Sequence, residues 1–342
     1  MGGGWYRRRA SIHSGGPGGN IGRNMVTTMK VLIGYDGSAC SDAAIADLRH
    51  AGLPARGEAR VVTVANVWPQ ASPGGYELPT PEEAARLAPA ARAVRQLAAD
   101  AMGEARAACA AGAAKVRAQF PQWNVTDEAV GDWPHHGLLA AAKRWRPDLL
   151  VVGSYGRSGV GRMLFGSVSQ AALTHSRCSV RVGRCAPDDG RAADAPVKVA
   201  VGVDGSVDSA AAVSAVAARH WPAGSAALVL VAVDLPLSMA LAGVGPPVAT
   251  LPPVPEVDGH AWAKRTAEAV ERELQEAGLA AMSVVRHGDP KRVLVEEAEQ
   301  WGADCIFVGA QGHGRVEKFF LGSVSAAVAA RAHCSVEVVR QG

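Results

Sequence analysis

Two glycine motifs, one in each half of the chain, have the residue types and spacing of a loop that holds a phosphorylated ligand. Each motif is Gly-x2-Gly-x9-Gly-Ser, and glycines without a Cβ let the backbone approach a flat ring and a sugar. The closing Gly-Ser opens a helix, whose first N–H groups and dipole attract phosphate oxygens. The residues that we expect to contact the ligand are Gly153, Gly156, Gly166, Ser167, Val168 and Ser169 in the first copy, and Gly309, Gly312, Gly322, Ser323, Val324 and Ser325 in the second.

The two motifs belong to a duplication of most of the chain. The offset from Gly153 to Gly309 is 156 residues, and it is the same at every glycine of the motif. A second motif, Gly-x-Asp-Gly-Ser, contains Asp36 in the first half and Asp204 in the second, at an offset of 168 residues. Because the offset falls from 168 to 156, the first copy has 12 more residues between its motifs. The chain is therefore two unequal copies of one domain.

Neither glycine motif matches the common alternatives. No Lys-Ser/Thr follows the glycines, as a Walker A loop requires, and no G-x-G-x-x-G follows the first strand, as in dinucleotide-binding folds. An ordinary P-loop kinase and an NAD enzyme are therefore disfavoured. No nucleophile with a base, no carboxylate pair and no metal cluster recurs in both halves, so we assign no catalytic residues and no metal ligands.

Composition limits the class of protein. The 342 residues suffice for two domains of roughly 150 residues each. A net charge of +3 without a basic stripe argues against a nucleic-acid partner. The uninterrupted apolar runs are shorter than the ~20 residues of a membrane helix, which argues against a membrane partner.

The cysteines and the N-terminal segment indicate the compartment. Six cysteines occur without a C-x2-C pair, which argues against a zinc site and a thioredoxin-type motif and favours reduced thiols. Residues 1–28 are rich in Gly and Arg and have no continuous apolar core, so they do not match a secretory signal. They are either a disordered tail or an extension upstream of a native start at Met25 or Met29. We expect a cytoplasmic protein.

Strands and helices alternate in both copies. Ser38 or Ser41 is expected to cap the first helix of the first copy, and Ser206 or Asp208 that of the second. Proline-rich stretches follow each second strand and are expected to cover the carboxyl end of the sheet. The main predicted elements are strands 30–35, 60–67, 148–153 and 179–182 with helix 90–119, then strands 198–203, 226–233, 304–309 and 335–339 with helix 260–277, and the proline-rich stretches are Trp68 to Pro81 and Leu235 to Pro255.

This alternation predicts an α/β fold with a parallel sheet and helices on both faces. In such doubly wound sheets, ligands bind at the carboxyl ends of strands where the strand order reverses. Asp36 and Gly153 both lie just past strand ends, so we expect their loops to meet in one crevice. The apolar fifth strands further predict that the halves pair about a pseudo-two-fold axis as an internal dimer, with a homodimer of the whole chain left open.

The chain with these motifs resembles the universal stress protein family in its tandem two-domain form. The resemblance covers about residues 29 to 185 and 196 to 340, and its most specific part is the Gly-x2-Gly-x9-Gly-Ser/Thr pattern, which marks ATP-binding members of that family. It implies two tandem doubly wound domains, each with a five-stranded parallel sheet of the Rossmann-like, adenine nucleotide alpha hydrolase-like type. The expected boundaries are a tail at 1–28, domain 1 at 29–185, a linker at 186–195 and domain 2 at 196–342.

The resemblance also implies roles for individual residues. Asp36 and Asp204 would lie beside the adenosine, and Val67 and Val233 would meet the adenine through backbone groups. The first two glycines of each motif would line adenine and ribose, and the helix starts would hold the phosphates, with Mg2+ bound alongside. None of the differences in length between the copies falls on a motif position.

Simpler interpretations remain for several residues. Asp36 and Asp204 can serve as turn or cap residues while they contact ligand, and Ser167 and Ser323 can be helix caps. Turn and cap roles explain Asp132 and Asp289 better than metal or ribose binding does. Solvated side chains at a helix start explain His135 and His136 better than catalysis does. The flexible loop residues Arg157, Arg162, Arg315 and Lys318 either neutralise phosphates or form a solvated face, and His313 stands where the first copy has Arg157.

The leading function predicted from the sequence is a regulatory, ATP-binding stress protein with a site in each domain and an unidentified protein partner. The alternative is a slow ATPase or a self-phosphorylating enzyme that uses the same pockets. A scaffold with vestigial sites is disfavoured because both motifs are intact. The acceptors that the enzyme alternative would use are Ser167, Ser169, Ser323 and Ser325.

Overall fold

A computed structural model describes most of the two repeated halves. Residues 1–27 of the predicted tail, six of the ten residues of the predicted linker and both proline-rich stretches lie outside the described residues. The described ranges are 28–67, 89–155, 166–184, 191–192, 194–233, 259–312 and 321–341.

The first half alternates strands and helices, as the sequence predicts. A short 3-10 turn, Leu48–His50, extends the first helix. The elements are β1 (Lys30–Gly34), α1 (Ala39–Asp47), β2 (Glu58–Ala65), α2 (Pro89–Gln119), β3 (Asn124–Gly131), α3 (Pro134–Trp145), β4 (Leu149–Gly153), α4 (Ser167–His175) and β5 (Ser179–Gly183).

The second half repeats the same order. Its long helix is much shorter than α2, which accounts for the 12 extra residues of the first copy. The elements are β6 (Lys198–Gly202), α5 (Val207–Ala217), β7 (Ala226–Val233), α6 (Gly259–Glu276), β8 (Ala280–His287), α7 (Pro290–Trp301), β9 (Cys305–Gly309), α8 (Ser323–Arg331) and β10 (Ser335–Val339).

One predicted element is displaced. The second strand was expected at 60–67, but β2 begins and ends two residues earlier. Its limits are those of its pairing with β3, which runs without interruption from Glu58 opposite Asn124 to Ala65 opposite Gly131. The β-branched run in the sequence continues to Val67, and the run alone does not show where pairing stops.

The ten strands in the described part of the chain form one sheet, in the order β3-β2-β1-β4-β5-β10-β9-β6-β7-β8. Within each half the strands are parallel, and the order reverses between β1 and β4 and between β6 and β9. The halves meet where β5 and β10 pair antiparallel, with Val180 opposite Val338 and Val182 opposite Val336. Each half is thus a doubly wound α/β unit, and the two units share a continuous sheet.

The two faces of this sheet are packed differently. On the face covered by α3, α4, α7 and α8, a single apolar core runs across both halves and includes Leu32, Val180, Val336 and Leu294. On the opposite face each half has its own core, under α1 and α2 in the first half and under α5 and α6 in the second. Because strand side chains alternate between faces, residue 181 of β5 and its neighbour on β10 point into the gap between those separate cores.

The length and hydropathy of the described helices bear on whether the chain could span a membrane. Among the described residues, no helix is both long and apolar enough to cross a membrane.

We predict that Phe307→Ala destabilises the second half strongly. Phe307 is fully buried on β9, and Trp221 packs edge-on against it with ring centroids 6.2 Å apart. Removing the ring should lower the free energy of unfolding by about 3–5 kcal/mol. Urea unfolding measures this, with Met282→Ala on β8, which is 48% exposed, as a control expected within about 0.5 kcal/mol of the parent. Equal effects of the two changes would contradict tight packing around Phe307.

Candidate functional site

The candidate site of the first half is a cavity at the carboxyl ends of β1, β2 and β4. These strands are neighbours at the point where the strand order reverses, so the loops that follow them converge. The cavity measures about 400 Å³, within the roughly 300–1,000 Å³ typical of small-molecule sites. The side of α2 and the starts of α3 and α4 complete its wall. Of the residues selected from the sequence, those that line it are Asp36, Gly153, Gly166, Ser167, Val168 and Ser169.

Asp36 shapes the turn that enters this cavity. Its Oδ1 accepts a hydrogen bond from the N–H of Ser38 at 3.0 Å, and Gly37 between them has a φ of +76°. Ser38 in turn caps α1, since its Oγ accepts from the N–H of Ser41 at 3.2 Å. Of the two expected caps, the structure therefore selects Ser38. Asp36 combines a turn role with a place on the cavity wall.

The second half repeats this turn almost atom for atom. Asp204 Oδ1 accepts from the N–H of Ser206 at 2.9 Å, and Ser206 caps α5 by accepting from Ser209 at 3.1 Å. Ser206 is thus the cap, and Asp208 is not. Gly205 has a φ of +80°, so both copies need a glycine at this point of the turn.

The first glycine of each motif also serves packing of the protein itself. A Cβ on Gly153 would lie 2.9 Å from the backbone carbonyl of Cys40, at the start of α1. A Cβ on Gly309 would lie 2.5 Å from the backbone of Asp208, at the start of α5. Both positions thus require glycine because a strand end closely approaches a helix start. Gly153 also lines the cavity, and its contact with a ring and a sugar stays a prediction.

Ser169 and Ser325, which we expect to contact phosphates, have hydroxyls that bind the backbone of the protein itself. Both are buried, at 2% and 4% exposure. Ser169 Oγ donates to the carbonyl of Gly153, and Ser325 Oγ donates to that of Gly309, each at 2.6 Å. These hydroxyls fasten α4 and α8 to the ends of β4 and β9. They hold in place the turn that we expect to receive phosphates, and Ser169 itself lines the cavity.

Ser167 and Ser323 are the exposed hydroxyls of the two helix starts. Gly166 and Gly322 occupy the N-cap positions of α4 and α8, and neither has a side chain that could satisfy the N–H groups of the first turn. These N–H groups have no acceptor within their own helix and carry the positive end of its dipole. An anionic oxygen is therefore the natural partner of this end of the site. Val168 and Val324 follow the two serines and pack partly against the shared core.

The glycine loop of the second half lies against the Asp204 turn. A Cβ on Gly312 would lie 2.6 Å from Asp204 Oδ2, so the two motifs meet as the sequence predicts. Gln311 fixes this loop, because its carbonyl accepts from Ser206 Oγ at 3.2 Å and its N–H donates to Asp208 Oδ2 at 2.9 Å. Gly156, the counterpart of Gly312, lies outside the described residues, as do Arg157, Arg162, His313, Arg315 and Lys318.

Val67 and Val233 do not occupy equivalent positions. Gly34 pairs with Val62 and Gly202 pairs with Leu230, so the counterpart of Val233 in the first half is Ala65. Val67 lies two residues past the end of β2 and is buried among Ala65 and side chains of α2. It is not among the residues that line the cavity, where Ala65 and Asn66 are found instead. Val233 lies at the end of β7, near the start of α6.

Sequence reasoning missed two tyrosines that line the first cavity. Tyr35 follows β1, and its hydroxyl donates to Asp42 Oδ1 at 2.7 Å. Burial raises the pKa of Tyr35, and the hydrogen bond to Asp42 raises it further, so the phenol stays protonated. Tyr155 lies within the glycine motif. The sequence signal that could have identified them is an aromatic residue beside each motif of the first copy, where the second copy has Val203 and Gln311.

The remaining polar candidates serve as turn and cap residues. Asp289 Oδ1 caps α7 by accepting from Lys291 N–H at 3.0 Å, and Asp132 accepts from Trp133 N–H at 2.7 Å. Asp132 also contacts the exposed ring of His136 at 2.6 Å. Within the part of the chain that the structure describes, no cluster of His, Cys, Asp and Glu has the composition of a metal site.

Comparisons with known proteins agree with this architecture. A family model described as the universal stress protein family matches residues 27–184 and 197–340. A universal stress protein from Mycolicibacterium smegmatis is 30% identical over 322 residues, covering 92% of this chain and 98% of that protein.

Solved structures show the same fold at lower identity. A universal stress protein from Archaeoglobus fulgidus superposes with a TM-score of 0.61 at 18% identity, covering 92% of this chain and all of that one. A protein described as a putative universal stress protein from Pseudomonas aeruginosa gives a TM-score of 0.54 at 13% identity, covering 92% of this chain and 94% of that one.

We predict that alanine at Gly309 destabilises the protein although the change adds one methyl group. The new Cβ would collide with backbone of Asp208, which cannot rotate away, so we expect a loss of about 1–3 kcal/mol of unfolding free energy. The control is Gly103→Ala in α2, where a Cβ meets nothing within 4 Å and alanine should add up to about 1 kcal/mol. Urea unfolding of both variants gives the comparison. A neutral or stabilising Gly309→Ala would contradict the packing role of this glycine.

Proposed function

Because the chain belongs to the universal stress protein family, with two Usp domains in tandem, we propose that it is a regulatory module that binds ATP, with one site in each domain. One observation carries the proposal. The first-domain cavity joins a partly apolar floor at the ends of β1, β2 and β4 to the exposed start of α4. A nucleoside triphosphate has the matching division into a flat ring, a sugar and an anionic tail.

The described residues fit such a ligand at both ends. Thr63, Val64 and Ala65 of β2 line the cavity, and the backbone of a strand end offers N–H and C=O groups to the edge of a base. Asp36 lies on the wall between the strand ends and the helix start, where a ribose hydroxyl could donate to it. At the far end, Ser167 and the first N–H groups of α4 would receive phosphate oxygens.

Mg2+ fits the proposal as a companion of the nucleotide. This ion is usually held by one or two carboxylates together with substrate phosphates, and keeps several waters. Asp36 is a cavity carboxylate that could serve as such a ligand. The ion would neutralise part of the phosphate charge, and the residues around it would orient the tail.

The second site is proposed on the same elements, with a different wall. Asp204, Gly312, Gly322 and Ser323 repeat the turn, the loop and the helix start. Gln311 replaces Tyr155, and its two backbone hydrogen bonds to the start of α5 hold the loop close to Asp204. We therefore expect the two sites to differ in affinity.

Regulation would follow from the change that a bound nucleotide makes at the mouth of each cavity. A triphosphate adds negative charge beside the start of α4 or α8, and a protein partner that distinguishes the loaded from the empty surface would respond to it. The partner that responds to the loaded surface could also be a second copy of this chain, which would form a homodimer.

The positions of the serines limit which hydroxyls could accept a phosphoryl group in the enzyme alternative. Ser169 and Ser325 are buried and donate to strand-end carbonyls, so phosphoryl transfer to this chain would have to use Ser167 or Ser323. Incubation with radiolabelled ATP distinguishes the two functions. Tight binding with neither free phosphate nor labelled protein supports the regulatory module, and turnover supports the enzyme.

We predict that the purified protein carries or accepts adenine nucleotide. Denaturing it and analysing the supernatant by liquid chromatography should release ATP or ADP, or millimolar Mg-ATP should raise the melting temperature of the nucleotide-free protein. Absence of both effects would exclude the proposal.

A charge variant tests the position of the phosphates. Ser167→Asp places a carboxylate at the first turn of α4, where an acidic residue favours the helix, so folding should be retained. The same charge would repel phosphates and should weaken binding at the first site by at least about tenfold, which is about 1.4 kcal/mol. Ser323→Asp is the matched variant of the second site.

Titration calorimetry should then show each single variant losing one of two binding events and the double variant losing both. Ser167→Ala, which keeps the backbone donors, should bind nearly as well as the parent. Unchanged binding of the double variant would place the phosphates elsewhere.

A further inference from the structure

A buried pair of opposite charges lies at the centre of the junction between the two halves. Arg181 of β5 is directly opposite Glu337 of β10, and the two positions are equivalent in the duplicated sequence, 156 residues apart. The side chains are 0% and 1% exposed. Arg181 Nη1 lies 3.4 Å from Glu337 Oε2. Two copies of one position thus meet on the pseudo-two-fold axis with opposite charges.

Each member of this pair has a second ion-pair partner in its own half. Arg181 Nε donates to Asp47 Oδ2 of α1 at 2.7 Å, and Arg219, which follows α5, donates to the other oxygen of Glu337. Charges therefore alternate along the line Asp47, Arg181, Glu337, Arg219, which we call the charge chain. Two of its members come from each half.

The charge chain lacks a counterpart under the pseudo-symmetry. Asp47 corresponds to Ala215, and Arg219 corresponds to Ala51, at the offset of 168 residues. Arg219 crosses the axis and donates to the carbonyl of Ala51 itself. The charge chain is thus built from positions at which the two copies differ.

Size is complementary at the same place. Gly52, with a φ of +61°, lies under the side chains of Arg219 and Trp221, and a Cβ on it would come within 2.9 Å of Arg219 Cβ. The N–H of His220 also donates to the carbonyl of Gly52 at 2.8 Å. The first half has small residues where the second half has large ones.

The rest of the junction obeys the two-fold symmetry. Arg184 donates its backbone N–H to Ser335 Oγ, and Arg340 donates its own to Ser179 Oγ, both at 3.3 Å. The guanidinium of Arg184 donates to a carbonyl of α8, and that of Arg340 donates to the equivalent carbonyl of α4. These contacts would form equally well if a half paired with another copy of itself.

Stability alone does not explain why charges are kept at the centre. Burying charges costs much of what their attraction returns, and apolar replacements of such groups are often as stable. One nitrogen of the Arg181 guanidinium is buried without a hydrogen-bond partner in the described structure. Burial lowers the pKa of Arg181, but Asp47 and Glu337 raise it more, so it remains charged.

We propose that the charge chain and the small-to-large fit at Gly52 make the fifth-strand edge of each half a docking surface that is specific for the other half. The same two features disfavour pairing of a half with an identical half. Self-pairing of first halves would place Arg181 against Arg181 and leave space at Ala51 and Gly52. Self-pairing of second halves would place Glu337 against Glu337 and crowd Arg219 and Trp221. The charge-chain residues of each half sum to zero, so every pairing has the same net charge at the junction. Mixed pairs are therefore distinguished from self-pairs by the order of the charges and by shape.

The test cuts the folded full-length protein at a specific protease sequence inserted in the predicted linker 186–195. Unlabelled and 15N-labelled cut proteins are mixed, unfolded in urea and refolded together, and native mass spectrometry distinguishes all pairings. We expect the ratio of mixed pairs to self-pairs to be at least about tenfold higher than in a random distribution. The mixed pairs should include those with one labelled and one unlabelled half, which shows that the halves exchanged during refolding. A random distribution, or halves that refold and stay apart, would overturn the proposal.

A variant without the charge chain tests its contribution. Asp47→Leu, Arg181→Met, Arg219→Met and Glu337→Leu together keep the volumes and remove the charges, and we expect self-pairs to increase at least about tenfold over the parent. The matched control removes an ion pair of β8 and α7 away from the junction, Arg286→Met with Glu297→Leu, and should leave the distribution unchanged. A parental distribution in the fourfold variant would overturn the role of the charges.

A single conservative change keeps the test independent of the refolding of the fourfold variant. Glu337→Gln retains size and hydrogen-bonding capacity but removes the like-charge contact of second-half self-pairs. These self-pairs should increase by at least about threefold, while the first halves that they leave without a partner stay unpaired and first-half self-pairs stay rare. An increase confined to first-half self-pairs, or no increase, would contradict the proposal.

Discussion

A contact between backbone atoms at the end of the fourth strand of each half determines the geometry of both candidate sites. Gly153 and Gly309 lie so close to the starts of α1 and α5 that a single Cβ would overlap main-chain atoms. The contact brings the Asp turn after the first strand beside the loop after the fourth. Ser169 and Ser325 then fasten the next helix to the same strand end. Strand end, turn and helix start are thus held together, and the candidate pocket of the first half lies between them.

Much of this arrangement could be predicted because duplication doubles every signal. Repeated motifs at fixed offsets gave the two units, and alternation of strands and helices gave a parallel sheet with a reversal of strand order at the motifs. The functions of individual glycines and serines could not be predicted, since a missing Cβ is equally compatible with a ligand and with a neighbouring helix. Ser169 illustrates the limit: a motif shows that a hydroxyl is required, and only the fold shows that it points to Gly153. The register of β2, which removes Val67 from the cavity wall, depends on pairing partners that are distant in sequence.

The two halves differ from each other at their candidate sites and at their junction. Tyr35 and Tyr155 give the first cavity an aromatic wall, whereas Gln311 gives the second a loop held by backbone hydrogen bonds. At the junction, equivalent positions have become Arg181 and Glu337. Such differences are available only to a fused pair, because in a symmetric dimer one substitution changes both sides at once. Fusion of the two copies therefore permits specialisation of each pocket and of each side of their contact.

The antiparallel pairing of β5 with β10 has a consequence for the direction in which the molecule faces. The described strands of the first half run parallel to β5, and those of the second half run parallel to β10. The carboxyl ends of the two sets of strands therefore point in opposite directions. The candidate sites of the two halves consequently lie at opposite ends of the strands and open in opposite directions. A partner of the first candidate site would therefore approach from the side opposite to a partner of the second. The outer edges of the sheet, β3 and β8, lie farthest from the junction between the halves.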